Sequence, residues 1–405
     1  MSSFPSLLGY VNRDTFGEIA NLGLLPKEQI QLTHSLMSPQ TNYYLRVNLT
    51  KISKSGFIER MRLKNTEIID IPSFPEVVGI RVQPGTMPPP RGRVVYAYKF
   101  AAESVFTGAH LYYPGIGPNS HVPLGVSVEI REWKRKIHVA SGTTRMNLKN
   151  PPSRVGLAVE NVTSPHVTWA FHESEEYAAG LFDDQSLPPV AVAHAVMNEY
   201  RKGLRILDLC AAPGGKSTAM AQIGKCQFGE WPDILAIDRS QNRLNHLAQK
   251  ITRLGLQGIN ALAMKLEHVH ERYPEWKGQG DLVLLDPPCS ALGTRPKIYI
   301  DTLTKDYHNF AENQFRLLQH AWELVKPGGI LVYSTCSITT RENEGNVARV
   351  LDTFDAELLP AGINIGHPGL PYETLSLTDV QKLRRFWPHR DDCIGYFIAK
   401  FRRVS

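Results

Sequence analysis

The chain predicts an α/β fold, a doubly wound and mostly parallel sheet, preceded by a small β-barrel and an N-terminal α+β segment. Three observations carry this expectation. After about residue 173, apolar strand-length runs alternate with longer helical stretches, the pattern of a parallel sheet covered by helices. Between residues 91 and 168 the runs are short and β-rich, and Gly or Pro recurs every ten residues or so. Pro84, Gly85 and Pro88–Pro90 form a break that sets this region off from what precedes it. The boundaries so defined are 1–90, 91–172 and 173–405. A chain of 405 residues, 42% hydrophobic and 21% charged, is long enough for two or three domains.

In the first segment, "TNYYLRVNLTKISKSGFIERMRL" (41–63) reads as a strand followed by a helix. The second offers "RVVYAYKF", "AHLYYPGI", "GVSVEI", "KIHVASG" and "RVGLAVEN" as strands. In the third, "LRILDLC" (204–210) is a buried strand and "KSTAMAQIG" (216–224) opens a helix. "ILAIDRS" (234–240) is a second strand, followed by the helix "NRLNHLAQKITRLG" (242–255) and the strand "DLVLLDPP" (281–288). A long helix (302–325), with apolar residues at helical spacing, is stopped by Pro327-Gly328-Gly329. "ILVYSTCS" (330–337) and "CIGYFIAKF" (393–401) are further strands. In such a sheet the functional ends are the carboxyl edges of the strands.

The net charge of +6 is unevenly placed: residues 91–172 hold ten Lys and Arg against four Asp and Glu. Within this segment Arg131, Lys134, Arg135 and Lys136 surround Trp133. A basic surface beside a near-neutral body suits a polyanion, because Lys and Arg gain affinity by releasing condensed counterions. A solvated, charged strand end is the competing reading. No run approaches the ~18 uninterrupted apolar residues of a membrane span, and the first twenty residues read neither as a secretory signal nor as a transit peptide. The five cysteines, 210, 226, 289, 336 and 393, contain no close pair, which excludes a disulfide framework and the usual zinc spacings. A reduced, cytoplasmic protein without metal is expected.

"LDLCAAPGGKS" runs from strand to helix through a Gly-Gly turn. The phosphate-loop template fails because Cys210 stands where its first Gly is required. The dinucleotide template fails because Pro213 precedes adjacent glycines. What survives, Cys210, Ala211, Ala212, Pro213, Gly214, Gly215 and Lys216, is a turn that lets backbone approach a ligand at a helix N-terminus favouring a carboxylate. Asp238, ending the next strand, is placed to accept hydrogen bonds from ribose hydroxyls. A carboxylate and a ribose on one ligand describe S-adenosylmethionine. On its own the loop also fits a plain strand–helix turn.

Two further strand ends carry cysteines. "LLDPPCS" places Asp286 and Cys289 just past one apolar strand, and "LVYSTCS" places Cys336 just past the next. Buried Cys is commonly an inert small hydrophobe, yet two at adjacent carboxyl ends face one crevice, the one that receives the donor. In methyltransferases acting on exocyclic nitrogens a related Asp-Pro-Pro is followed by an aromatic; here Cys289 argues against that target. Carbon 5 of a pyrimidine is too weak a nucleophile to attack a sulfonium. A thiolate adding to carbon 6 makes carbon 5 enamine-like. A carboxyl group bonding N3 and the amino group assists, a part that suits Asp286 and favours cytosine.

With "LVKPGGILVYSTCS", "ENEGNV" and the terminal "FWPHRDDCIGYFIAKF", these motifs resemble the Sun-type RNA cytosine-C5 methyltransferases over about residues 173–403. "LRVN" (45–48) is similar to the start of that family's N-terminal RNA-binding segment. The resemblance implies a Rossmann-like class I methyltransferase fold and S-adenosylmethionine as cofactor. It implies that Cys336 of the Thr-Cys motif attacks carbon 6 and that Cys289 assists product release. DNA cytosine methyltransferases, by contrast, use a Pro-Cys nucleophile. By the same resemblance Asp286 holds the cytosine, Lys216 lies near cofactor and base, and Asp238 and Arg243 belong to the cofactor site. "FTGAHLYYPGI" (106–116) resembles a PUA domain, which implies RNA contacts at Gly108, Ala109 and His110 and tRNA as substrate, read at the acceptor end. Other RNAs stay open as substrates, and a monomer is expected. One departure stands out: where the family has an Asp for the adenine amino group, the aligned position is Lys265, with Glu267 nearby. That change supports an alternative, an RNA-binding protein that keeps the fold with weak or no turnover.

Overall fold

The computed structural model describes residues 9–64, 66–87 and 92–405. The proline cluster 88–90 and the expected boundary at residue 91 lie outside the described residues. The largest sheet has eight strands, with β1 (Arg205–Asp208), β2 (Asp233–Asp238), β3 (Ile259–Ala263), β4 (Gly280–Leu285), β5 (Val325–Thr335), β6 (Ala356–Leu359), β7 (Arg384–Phe386) and β8 (Tyr396–Arg403). Their order is β3-β2-β1-β4-β5-β8-β6, with β7 also paired to β8. The first five are parallel, whereas β8 runs antiparallel to β5, β6 and β7. The chain leaves β1 toward β2 and returns on the other side as β4. This reversal opens a crevice at the carboxyl ends of β1 and β4.

Successive strand residues turn to opposite faces, and both faces are covered. Ile206, Leu282, Leu284 and Val332 join one core, which includes the helix Leu187–Met197. Leu207, Val283, Leu285 and Leu331 join the other. Helix α1 (Gly215–Phe228) follows β1, α2 (Gln241–Leu254) follows β2, and α3 (Thr304–Leu324) precedes β5. Helix α3 buries Tyr307, Ala311, Gln314, Leu318, Ala321 and Trp322, a stripe at three- and four-residue spacing. Helix α4 (Glu344–Thr353) follows the loop beyond β5.

The N-terminal residues contribute a four-stranded antiparallel sheet in the order Phe182–Asp184, Asn42–Val47, Val77–Arg81, Ile68–Asp70. Its edge strand therefore comes from beyond residue 173. The "LRVN" stretch faces inward. Arg46 is fully buried and donates to Gln185 Oε1 (2.6 Å), Gln222 Oε1 (2.6 Å) and Thr218 Oγ1 (2.8 Å), so it clamps this sheet to α1. Asn48 Nδ2 donates to Gly180 O (2.9 Å) and to Leu254 O at the end of α2 (2.8 Å).

The middle residues form a five-stranded sheet in the order Arg93–Ala97, Ser127–Glu132, His138–Thr144, Leu157–Thr163, Leu111–Tyr112. A bridge between Ala97 and Ile116 brings its two edges together. The expected first strand, carried to residue 100, stops at Ala97, and Lys99–Phe106 is a helix. The reason is local: "KFAAESVF" sets Ala102 and Val105 three apart on a buried face, and Gly108 (φ +104°) lets the chain turn after it. The expected strand 109–116 shrinks to Leu111–Tyr112 and a 3₁₀ turn that includes Pro114.

Replacing Arg46 with Met would leave Gln185, Gln222 and Thr218 without their buried donor. Arg46→Met is expected to lower stability by about 3 kcal/mol, read from the midpoint of urea unfolding. An unchanged midpoint would remove the clamp from this account.

Candidate active site

The glycine turn lies between β1 and α1. Gly214 has φ +99°, and a Cβ there would come 2.2 Å from Leu247 Cδ1 of α2, so only glycine fits. Ala211 N donates to Ile237 O (3.0 Å) and Ala212 N to Asp238 Oδ2 (3.2 Å), which fastens the turn to the end of β2. Asp238 also accepts from Ser240 N (2.9 Å) and lies 3.5 Å from Arg243 Nη1. Arg243 Nη2 in turn donates to Ala212 O. Cys210 faces the core, and burial pushes its thiol up, so it is a neutral wall of the turn. The expected cofactor residues thus form one cradle.

Asp208, at the end of β1, accepts from Ser217 Oγ at 2.6 Å, while its Oδ1 is buried with no partner among the described residues. Burial, partly offset by the Ser217 hydroxyl, pushes this carboxyl up to about 6. An unpaired buried acceptor beside a helix N-terminus fits a zwitterion, with the carboxylate on the free N–H groups of α1 and the ammonium near Asp208. The residues present therefore suit the amino-acid end of S-adenosylmethionine, and Asp238 suits its ribose. Lys265 is exposed one residue beyond Met264, whose N donates to the backbone O of Asp238 (2.9 Å). Glu267 is turned toward Arg316 (3.5 Å).

At the next two strand ends the sulfurs of Cys289 and Cys336 are 3.1 Å apart. Their hydrogen bond, together with burial, pushes the Cys289 thiol well above its ordinary range, so Cys289 keeps its proton at neutral pH. Asp286 completes the group. It takes the ammonium of Lys216, the hydroxyl of Ser334 (2.7 Å) and the phenol of Tyr396 (2.8 Å). Burial works against the charge on Lys216, but the carboxylate of Asp286 outweighs it and holds the ammonium above its usual value. The loops carrying the thiols are braced by Glu342, which is fully buried. It accepts from Ser290 N (2.9 Å), Ser290 Oγ (2.6 Å), Thr339 Oγ1 (3.0 Å) and Gln314 Nε2 (2.8 Å). Gln314 also holds Pro288 O (3.0 Å). Ser334, Tyr396 and Glu342 were not singled out from the sequence. The motifs "YSTCS", "CIGYF" and "RENEG" contain them, but nothing in their spacing assigns them to Asp286 or to the thiol loops.

The expected RNA-contact residues are more dispersed. Arg131 is paired with Glu129 (2.9 Å), and Lys136 Nζ lies 4.0 Å from the Tyr96 ring centre and 4.1 Å from that of Trp133. Arg135 donates to Gly9 O (2.6 Å), whereas Lys134 is exposed with no side-chain partner among the described residues. Gly108, Ala109 and His110 form one turn, pinned by Asn161: its Nδ2 donates to Ala109 O (3.1 Å) and its backbone N to His110 Nδ1 (3.1 Å). Among the described residues no His/Cys/Asp/Glu cluster could hold a metal, and no helix is long and apolar enough to cross a membrane.

A mixed sheet of this order, five strands parallel and β8 antiparallel, with a glycine turn and an acidic strand end at its switch point, has the architecture of a class I methyltransferase. The chain belongs to the RsmB/F methyltransferase family: the profile described as 16S rRNA methyltransferase RsmB/F matches residues 195–402. It is 33% identical to the tRNA (cytosine(72)-C(5))-methyltransferase of Pyrococcus horikoshii, over 100% of this chain and 98% of that protein. It is 30% identical to the mouse tRNA (cytosine(72)-C(5))-methyltransferase NSUN6, over 75% of this chain and 72% of that one. The crystal structure of NSun6 from Pyrococcus horikoshii with SFG superposes with a TM-score of 0.84 at 32% identity, covering 98% of this chain and 100% of that one. SFG is an analogue of S-adenosylmethionine, the methyl donor of this family.

The Asp208 carboxyl holds its proton up to about pH 6 when folded, whereas an unfolded Asp releases it near 3.9. The folded state therefore binds more protons in between, and this group's contribution to stability falls as pH rises through that window. Asp208→Asn, without donor, is expected to gain on the parent by on the order of 2 kcal/mol between pH 4 and pH 6.5. Urea unfolding across that range checks it, and a flat difference would contradict it.

Proposed function

We propose that this chain methylates carbon 5 of a cytosine near the acceptor end of tRNA, through a covalent bond between Cys336 and carbon 6. The observation that carries this reading is the 3.1 Å thiol pair set beside Asp286 at the mouth of the donor cradle. S-adenosylmethionine, when bound, supplies an electrophilic methyl carbon on a sulfonium. The chain's own residues supply the rest. Asp286, held by Lys216, Ser334 and Tyr396, accepts from the amino group of the cytosine and so fixes the ring against the thiol. The thiolate of Cys336 adds to carbon 6, and the C5=C6 pair moves to carbon 5, which becomes the nucleophile. After methylation the carbon 5 proton passes to a base, its electron pair re-forms C5=C6, and Cys336 departs as thiolate. Cys289, hydrogen-bonded to the same sulfur, acts in this last stage.

The middle residues, 91–172, are proposed to be a PUA domain that reads the tRNA acceptor end. Their positive excess, the exposed Lys134 and the pinned turn at Gly108–His110 support it. The names of the relatives at 33% and 30% identity favour position 72 of tRNA as the target. The described N-terminal residues act mainly as support for the donor helices, since Arg46 and Asn48 face α1 and α2. Both thiols and the intact cradle weigh against a protein that has lost turnover.

Cys336→Ala is expected to bind tRNA normally and to lose methylation by at least about 1,000-fold, measured with labelled donor; substantial residual activity would reject this nucleophile. Cys289→Ala is expected to accumulate a protein–RNA adduct that survives a denaturing gel. Lys134→Ala should lower the slope of log Kd against log salt by about 0.9 if it meets one phosphate, and an unchanged slope would move the phosphate contact elsewhere.

A further inference from the structure

The segment that follows Cys289, residues 291–300, joins the thiol loops to the middle sheet. Its first half is fastened at the site. Gly293 N donates to Cys336 O (2.9 Å), Gly293 O accepts from Gly395 N (2.7 Å), and Thr294 Oγ1 donates to Ala291 O (2.9 Å). Lys297 Nζ donates to that same Thr294 Oγ1 (2.9 Å). Its second half leaves the catalytic sheet altogether. Ile298 N donates to Glu103 Oε1 on the helix Lys99–Phe106 (3.3 Å). The side chains of Ile298 and Tyr299 complete the middle core beside Val95, Ala102 and Val105.

Tyr299 is 1% exposed, and its hydroxyl donates to Glu132 Oε1 at 3.2 Å. Glu132 also takes the backbone N–H groups of Lys134 (2.9 Å) and Arg135 (2.6 Å), so it shapes the basic turn. The Lys99 ammonium and the Arg135 guanidinium each lie 4.7 Å from the centre of the Tyr299 ring. The ring is therefore where the basic turn and the thiol loop meet.

We propose that Tyr299 is a positioning residue through which the middle sheet sets Cys289 against Cys336; this rests on the covalent reading above. The two thiols are held unequally. Cys336 follows β5, which is hydrogen-bonded on both sides by β4 and β8. Cys289 stands past the end of β4, and two residues on Ala291 has φ +54°, a conformation that a non-glycine residue keeps only when its surroundings impose it. The Glu342 network holds Ser290 on one side of Ala291. The strap holds the other: Arg295 fixes its middle on Ser38 O (2.8 Å), Pro39 O (2.8 Å) and Pro388 O (2.9 Å), and Tyr299 anchors its far end in the middle core. Loosening the anchor relaxes Ala291 and displaces Cys289 more than Cys336. The Cys336–carbon 6 bond would still form. Its cleavage would slow, because the carbon 5 proton is lost and the thiolate expelled in the stage that needs Cys289.

The test compares Tyr299→Leu, Tyr299→Phe, Glu103→Ala and Cys289→Ala in the full chain with tRNA and S-adenosylmethionine. Tyr299→Leu is expected to lower turnover at least about tenfold, with both Kd values within about threefold of the parent, and to accumulate the gel-resistant adduct. Tyr299→Phe keeps the ring between Lys99 and Arg135 and should stay within about threefold. Glu103→Ala releases the Ile298 N–H without opening the core and should also slow turnover and trap adduct, which keeps the idea testable if Tyr299→Leu does not fold. Slow turnover without adduct in both Tyr299→Leu and Glu103→Ala, or turnover within about twofold of the parent in both, overturns the inference when Cys289→Ala does trap adduct. No adduct in Cys289→Ala either overturns the covalent reading itself, and this inference with it.

Discussion

The site depends on the carboxylate of Asp286 and on how it is shared. One half-buried group takes an ammonium from the helix after the glycine turn, a hydroxyl from β5 and a phenol from the start of β8. A carboxylate so placed is costly unless its lone pairs are met. Meeting them ties the donor cradle, the thiol strand and the antiparallel strand into one unit. Burial keeps the Tyr396 phenol protonated, so it remains a donor to this group.

Around that centre the protein uses buried charge for positioning as well as for chemistry. Glu342 gathers the two cysteine loops, and Glu344, two residues on, pairs with Arg385, whose guanidinium also donates to Ile338 O (2.8 Å) in the loop after Cys336. Asp183 draws Arg46, Lys250 and Arg253 together and joins the N-terminal sheet to α2. Breaking such a pair leaves an uncompensated buried charge, which makes these clusters strong determinants of geometry even where their net contribution to stability is small. The helices Arg13–Ala20 and Pro26–Met37, with Leu22 between them, add a hydrophobic wall, in which Ile19, Leu22, Leu32 and Leu36 join Leu292, Ile300 and Trp387. The thiol loops are thus held from the sheet, from the N-terminal residues and from the middle sheet.

The middle region shows how a basic sequence cluster divides its labour once folded. Arg131 is spent on Glu129, Lys136 on two aromatic rings, and Arg135 on Gly9 and Tyr299, which leaves Lys134 outward. Charge counted along the chain reports the net charge of a region, the sum over all its side chains. It does not say which side chain reaches a phosphate. That depends on which are already committed to neighbours.

The alternating strands and helices after residue 173, the glycine turn with Asp238, and the cysteines at two strand ends were all legible in the sequence. Each rests on a local rule: hydrophobic period, strand–turn–helix chemistry, or position just past an apolar run. The helix Lys99–Phe106 was missed because the apolar run before it continues into its first turn. Ser334, Tyr396 and Glu342 were missed for another reason. Tyr396 is 110 residues from Asp286, and Glu342 is 52 from Ser290, so no spacing rule links them. Only the closing of the sheet, with β8 laid antiparallel beside β5, brings the phenol to the carboxylate. Likewise only tertiary packing sends Tyr299 into a core built by residues 95–159. Local periodicity is written in neighbouring residues; contacts between distant ones exist only where burying apolar surface and satisfying buried polar groups can be met together.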